Sequence, residues 1–173
     1  MKQNSTVDLQ IVIMNSMLDM NQLDCKIILY KFGSKKMSDC IFCKIINREI
    51  PAGIVYENDT TLAFLDIAPL NQGHTLVIPK YHAETLSELP VNDLRNTIES
   101  LQEVVKKLES SALSFKDFNI LLANGKDAGQ EISHLHFHII PRSSGDFLNI
   151  SFAPERPKLS GEEVSHIAKL INK

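Results

Sequence analysis

The sequence lacks a surplus of charge of either sign. Its 18 Lys+Arg and 21 Asp+Glu leave a formal net charge of −3 over 173 residues. A general polyanion binder carries a basic excess, so nucleic acid is not the expected partner. A small anionic ligand stays open, because a few backbone N–H groups and imidazoles can hold a phosphate on an acidic protein. Cysteine is scarce and odd in number, at Cys25, Cys40 and Cys43, which is not the count of a secreted disulfide framework. No run approaches the roughly 18 uninterrupted apolar residues of a membrane span. The apolar stretch Leu9 to Leu23 is broken by Asn15, Asp19 and Asn21, and no small-residue cleavage site follows it. That pattern argues against a signal peptide, and the expectation is a cytoplasmic protein with no membrane partner. Internal repeats and low-complexity tracts are also missing. What is present is 43% apolar against 23% charged residues, enough to build a real core.

Methionine is unevenly spread. Met1, Met14, Met17, Met20 and Met37 all fall within the first 37 residues, and Lys35-Lys36 precede the last of them. Such a shift in composition marks a boundary. Residues 1–36 read in two ways: an extension that packs on the domain or on a partner, or a stretch upstream of a true translation start at Met37. The organisation expected is an extension over 1–36, a domain over 37–145 and a tail over 146–173.

Within the domain, Cys40 to Arg48 reads as a short helix that stops before Pro51. Residues 53–56 and 60–66 read as strands about the turn Glu57-Asn58-Asp59. His74 to Pro79 reads as a third strand, entered from Asn71-Gln72-Gly73. Leu94, Ile98, Leu101, Val105 and Leu108 are spaced four and three apart, which predicts a long helix burying that face. Phe118 to Leu122 reads as a mostly buried strand, Asn124 to Gly129 as a loop, and His134 to Pro141 as a further strand. Ser160 and Glu163 form a capping box that opens a helix in the tail. The order strand, strand, strand, helix, strand, strand points to an α+β fold with an antiparallel sheet.

Three of the six histidines lie in Ser133-His134-Leu135-His136-Phe137-His138-Ile139-Ile140-Pro141. Alternation along a strand puts His134, His136 and His138 on one face, with rings about 6–7 Å apart, and Leu135, Phe137 and Ile139 on the other. Imidazole titrates near neutrality, so one ring can attack phosphorus while another stabilises charge or passes a proton. Two plainer readings compete: a solvated strand face, and a metal site alone. A metallo-hydrolase pattern would place Asp next, whereas Ile139 and Ile140 stand there. The preceding loop offers Asn124, Gly129 and Gln130, whose backbone and side-chain N–H groups can face an anion.

Cys40 and Cys43 form a C-x-x-C pair, which points to zinc, to a redox couple or to two buried thiols acting as small hydrophobes. No βαβ pattern surrounds the pair, which weakens the redox reading. Zinc needs about two more ligands, and His74, His82, His134 and His166 are the candidates.

Taken together, residues 38–142 resemble the histidine triad (HIT) family of nucleotide-binding hydrolases and transferases, and its zinc-bearing bacterial and archaeal-type members in particular. The resemblance is carried by Cys40-Ile-Phe-Cys-Lys-Ile-Ile, Ile50-Pro51-Ala52, Leu62-Ala63-Phe64-Leu65-Asp66-Ile67, Gly73-His74-Thr75-Leu76-Val77-Ile78-Pro79-Lys80 with His82, Gly129-Gln130, and the triad through Ile140-Pro141-Arg142. It implies a five-stranded antiparallel sheet with a long helix and a short N-terminal helix, assembled as a homodimer. It implies that His136 is the nucleophile and His138 its phosphate-contacting partner. Asn124 and Gln130 match contacts to phosphate and leaving group, and Asp66 matches the residue that holds the ribose hydroxyls. Phe42, Ile45, Phe64 and Leu76 match the apolar slot for the base, with plain core as their other reading. Cys40, Cys43, His82 and His134 match the ligands of a structural zinc ion. Glu131 departs from the family, many of whose members carry Ser or Thr there.

The function so implied is hydrolysis at the α-phosphate of nucleotide conjugates, either nucleoside phosphoramidates or dinucleoside polyphosphates, through a nucleotidyl-histidine. Transferase members place Gln at the third triad position, where this chain has His138. The alternative from another class is a purine nucleotide-binding regulatory or scaffold protein with incidental turnover. A DNA-end adenylate hydrolase is a weaker third idea, since the charge balance offers no basic surface for it.

Overall fold

Runs rich in β-branched and apolar residues, bounded by Asn, Gly and Pro, pair into one sheet. In the computed structural model, residues 39–146, 148 and 158–172 are described. The expected extension over 1–36 lies outside them. Strands β1 (Ile54–Glu57), β2 (Thr61–Leu65), β3 (Thr75–Pro79), β4 (Asp117–Leu121) and β5 (Phe137–Arg142) lie in the order β1-β2-β3-β5-β4, with every neighbouring pair antiparallel. Helix α1 spans Ile41–Ile46, α2 Val91–Glu109 and α3 Gly161–Ile171. This is the α+β arrangement the element order implies. Among the described residues, no helix is long and apolar enough to cross a membrane.

Both faces of the sheet are covered. Because side chains alternate along a strand, Ala63, Val77, Leu135, Phe137 and Ile139 share a core with Leu101, Val104 and Leu108 of α2. Leu62, Phe64, Leu76 and Ile78 point the other way and pack with Cys40, Phe42, Cys43 and Ile45 of the α1 segment. The β1–β2 turn closes on Asn58, whose Oδ1 accepts the N–H groups of Thr60 and Thr61 at 3.0 and 2.8 Å.

Three expectations need correction. The buried stripe of α2 runs through Thr97, Ser100, Leu101, Val104 and Leu108, while Ile98 is 46% exposed. The stripe is turned because small polar residues reach the sheet side with their bonds made. Ser100 Oγ accepts from Asn58 Nδ2 at 3.0 Å, and Thr97 Oγ1 donates to the Asp93 carbonyl at 2.7 Å. Strand β4 is not mostly buried, since it lies at the sheet edge and leaves Ile120 and Leu121 exposed. Strand β5 starts at Phe137 rather than His134.

At its far end β5 is tied to the chain that follows. Arg142 grips Asp146 with two N–H···O bonds of 2.7 and 2.6 Å. Asn71 Nδ2 donates to the Pro141 carbonyl and to Asp146, both at 2.9 Å. The Arg142 guanidinium holds the Asp146 carboxyl well below the usual carboxylate range. In the tail, the Ser160–Glu163 capping box of α3 is formed, with both reciprocal bonds present.

Ile139→Ala should cost about 2–5 kcal/mol of unfolding free energy, while Ile98→Ala should cost under about 1 kcal/mol. Urea titration reads both, and equal losses would contradict the assigned face of α2.

Candidate active site and metal cluster

Burial of alternate residues aims the histidines. Leu135, Phe137 and Ile139 enter the core under α2, so His134, His136 and His138 emerge on the α1 side. Sequence alternation predicts three evenly spaced rings on one strand. Instead the β3–β5 ladder holds only Phe137, His138 and Ile139, and residues 134–136 run ahead of it. Leu135 N–H donates to the Ala83 carbonyl at 2.7 Å, outside the ladder. Freed from the pleat, the rings of His136 and His138 approach to 4.8 Å between centroids, while His134 turns toward the cysteines. Phe42 of α1 lies edge-on to His134 and to His136, at 5.8 and 5.3 Å.

The hydrogen bonds decide which ring nitrogens are free. His136 Nδ1 lies 2.7 Å from the His134 carbonyl oxygen. A carbonyl only accepts, so Nδ1 carries the proton and Nε2 keeps its lone pair. Burial holds His136 below the ordinary imidazole value, its bond to the His134 carbonyl and the Asp66 and Glu131 charges opposing this in part. His138 is pushed down to about 4, first by burial and then by the neighbouring rings of His136 and His74. Near neutral pH both rings are uncharged, and a neutral ring with a bare nitrogen is a nucleophile.

A second cluster stands beside this pair. Cys40 and Cys43 come from the α1 segment, His82 from the chain after β3, and His134 from the approach to β5. Their ligand atoms all lie within 4.8 Å of one another. Cys43 Sγ is 3.2 Å from His82 Nδ1, Cys40 Sγ is 3.5 Å from His134 Nδ1, and the two Nδ1 atoms are 3.3 Å apart. A tetrahedral zinc ion has edges of about 3.3 Å between nitrogens and about 3.5 Å between sulfur and nitrogen. These separations suit such an ion, and the four residues could hold one. The His134 tautomer fits as well, because its Nε2 donates to the Pro79 carbonyl at 2.9 Å and leaves Nδ1 bare toward the sulfurs. The Cys43 S–H donates to Cys40 and holds that thiol far below its ordinary value, and the same bond pushes Cys43 up. A dication held here would favour the deprotonated form of both thiols. His74 and His166, the other candidates, do not join: His74 meets His138, and His166 lies on exposed α3.

The remaining site residues divide. Asp66 follows β2, its N–H donating to the His74 carbonyl at 3.0 Å and its Oδ1 accepting from Ala68 N–H at 2.9 Å. Asn124 Oδ1 accepts from Leu86 N–H at 2.7 Å. Gln130 braces the loop: Nε2 donates to the carbonyls of Glu84 and Ile132, and Oε1 accepts from Gly125 N–H. Phe42, Ile45, Phe64 and Leu76 are buried together as one core cluster, with Phe42 edge-on to Phe64 at 5.4 Å. Glu131 lines a cavity of about 390 Å³ with Cys40 and His82, beside the Cys–His cluster. His74 is a site residue for which sequence reasoning found no role beyond a possible zinc ligand. Only the strand pairing reveals it, since the β3–β5 register sets Leu76 opposite His138 and brings His74 beside that ring.

Residues 47–145, more than half of the chain, match the family model of the HIT domain. A HIT-like protein of Methanocaldococcus jannaschii is 55% identical over 107 residues, covering 62% of this chain and 81% of that protein. The adenosine 5'-monophosphoramidase of Schizosaccharomyces pombe is 39% identical over 132 residues, covering 73% and 96%. The crystal structure of a zinc-bound histidine triad family protein from Mycobacterium smegmatis superposes with a TM-score of 0.62 at 33% identity, covering 79% and 98%.

Purified protein should hold about one zinc ion per chain by elemental analysis, and Cys43→Ser should lose the metal and melt several degrees lower. Unchanged metal content in that variant would reject the cluster as the site. The depressed His138 value sets a sign for pH: a ring that prefers to be neutral when folded contributes fully above its ordinary value of 6.5, and that contribution is lost as pH falls toward about 4. Unfolding free energies across this range should fall more steeply in the wild type than in His138→Gln.

Proposed function

The chain belongs to the HIT-domain family, and from that membership we propose that it is a hydrolase acting at the α-phosphorus of purine nucleotide conjugates, releasing a nucleoside monophosphate. The observation that carries the reading is the 2.7 Å bond from His136 Nδ1–H to the His134 carbonyl, which leaves Nε2 bare beside His138. Nε2 attacks the α-phosphorus, the nitrogen–phosphorus bond forms, the bond to the leaving group breaks, and an amine departs with a proton taken from solvent, which the attacking water returns in the second step. Water then attacks the nucleotidyl-histidine in a second displacement, releasing the monophosphate and restoring the ring. His138 stabilises the charge on the phosphoryl oxygens. The Asp66 carboxylate accepts from the ribose hydroxyls. The relative in Schizosaccharomyces pombe is named for cleaving an adenosine phosphoramidate, which favours a phosphoramidate as the substrate of this chain.

Cys40, Cys43, His82 and His134 would hold zinc with no open position, so its role is structural: it ties α1, the chain after β3 and the lead into β5 together. The zinc-bound relative from Mycobacterium smegmatis supports that choice of metal. Two free thiols at this cluster suit a reducing, cytoplasmic setting. The protein acts as a homodimer in this reading, supported by the outer edge of β4, which has no further strand beside it among the described residues and exposes Ile120 and Leu121.

With adenosine 5'-phosphoramidate as substrate, His136→Ala should lower kcat/KM by at least about 1,000-fold while leaving the thermal midpoint within a few degrees. AMP release at the wild-type rate in that variant would remove the nucleophile assignment.

A further inference from the structure

Glu131 is an exposed carboxylate carried on a tied-down stretch of chain. It follows Gln130, whose side-chain amide is bonded to the carbonyls of Glu84 and Ile132 and to the Gly125 N–H. Beyond it, the His134 N–H donates back to the Ile132 carbonyl at 2.8 Å, and the His134 ring is fastened to Pro79. The backbone on both sides of Glu131 is therefore held, and the carboxylate stays beside the His136 ring.

The carboxylates whose charges bear on His136 are those of Asp66 and Glu131, and they come from different flanks. Asp66 has its Oδ2 3.5 Å from His74 Nδ1, on the flank where His74 meets His138. Glu131 lines the cavity that reaches Cys40 and His82, on the opposite flank. In the hydrolase reading the ribose is held at Asp66, so the group that leaves phosphorus departs toward Glu131. That cavity carries charge of one sign. Asp39, Glu84 and Glu131 line it, and no Lys or Arg does. Zinc in the adjoining cluster would leave the sign unchanged, because two thiolates offset the dication and the two imidazoles are neutral. A polyphosphate leaving group would bring more negative charge to a cavity lined by no cation. An ammonium group would be attracted, with solvent and salt weakening the pull at an exposed carboxylate.

We propose that Glu131 determines leaving-group specificity: with Asp39 and Glu84 it favours nucleotide phosphoramidates whose departing amine bears a further cationic group, and it repels dinucleoside polyphosphates. The catalytic form of this proposal rests on the hydrolase reading above, whereas the charge preference of the cavity is a property of binding alone. Half of the discrimination is repulsive, since the field that draws in an ammonium group also keeps out a polyanion.

Adenosine 5'-phosphoramidates bearing N-(3-aminopropyl), N-butyl and N-(2-carboxyethyl) groups are close in size and differ in charge. On the zinc-loaded full chain near pH 7.5, kcat/KM should fall in that order, with about tenfold or more between the cationic and anionic conjugates at low salt. Glu131→Gln should bring that ratio to within about threefold, and Glu131→Lys should invert it and raise the use of diadenosine tetraphosphate relative to the butyl conjugate. Salt of about 0.5 M should compress the wild-type ratio. A ratio unmoved in both variants would overturn the proposal even if both react more slowly, because a merely structural role lowers all three conjugates alike. Calorimetric titration of the three conjugates into His136→Ala reads the same preference as affinity, without turnover. If the wild type releases AMP from none of them, the hydrolase reading fails and the affinities alone decide: cationic above anionic sustains the charge preference, and equal affinities overturn it.

Discussion

Leu135, Phe137 and Ile139 leave water for the core beneath α2, and the backbone gives the residues between them one direction to go. Burying each such side chain is worth about 1.5–3 kcal/mol. A one-residue slip would expose all three and drive imidazoles into an apolar layer. The register of β5 is therefore set by packing, and the placement of His136 and His138 is a consequence of it. The same constraint turns the carbonyl of His134 toward the ring two residues on. That carbonyl settles where the His136 proton sits. Hydrophobic burial on one side of the sheet thus determines proton chemistry on the other.

The three histidines of the motif do different work because only one of them lies within the ladder. His138 is held by β3 and, through its ring, by His74. His136 is held by its own backbone neighbour. His134 leaves the group and joins two sulfurs and His82, with its far nitrogen fastened to Pro79. The Cys–His cluster and the His136–His138 pair therefore share one short segment, 134–138. Phe42 packs against both His134 and His136, so α1 supports the two centres at once. An ordered site here asks little of long loops: most of its parts sit at strand ends whose registers are fixed by packing.

Much of this was legible in the residues. The alternation of apolar residue and histidine named the chemistry-bearing face, the C-x-x-C pair carried a zinc reading among others and does join His82 and His134 in a cluster that could hold a metal, and the element order gave the fold class. The capping box at Ser160 located the last helix. Other features depend on tertiary placement. The buried stripe of α2 could not be read from its leucines, because Thr97 and Ser100 reach the sheet side only once their hydrogen bonds are made locally or to Asn58. The exposed character of β4 follows from its edge position, which a run such as Phe118 to Leu122 does not encode. The bracing bonds of the Gln130 amide to the Glu84 and Ile132 carbonyls depend on how the loop folds back, which its sequence does not encode. His74 carries no local signal of its partner, which lies 64 residues away and meets it only through strand pairing.

The central claim is that the bare nitrogen of residue 136 forms a covalent bond to the innermost phosphorus of a nucleotide. Rapid acid-free quenching during turnover of adenosine phosphoramidate, followed by peptide mass mapping, tests it most directly. The account predicts an added AMP mass on the peptide bearing residues 134–138, localised by fragmentation to His136. An adduct on His138, or steady turnover with no adduct on any histidine at saturating substrate, would contradict it.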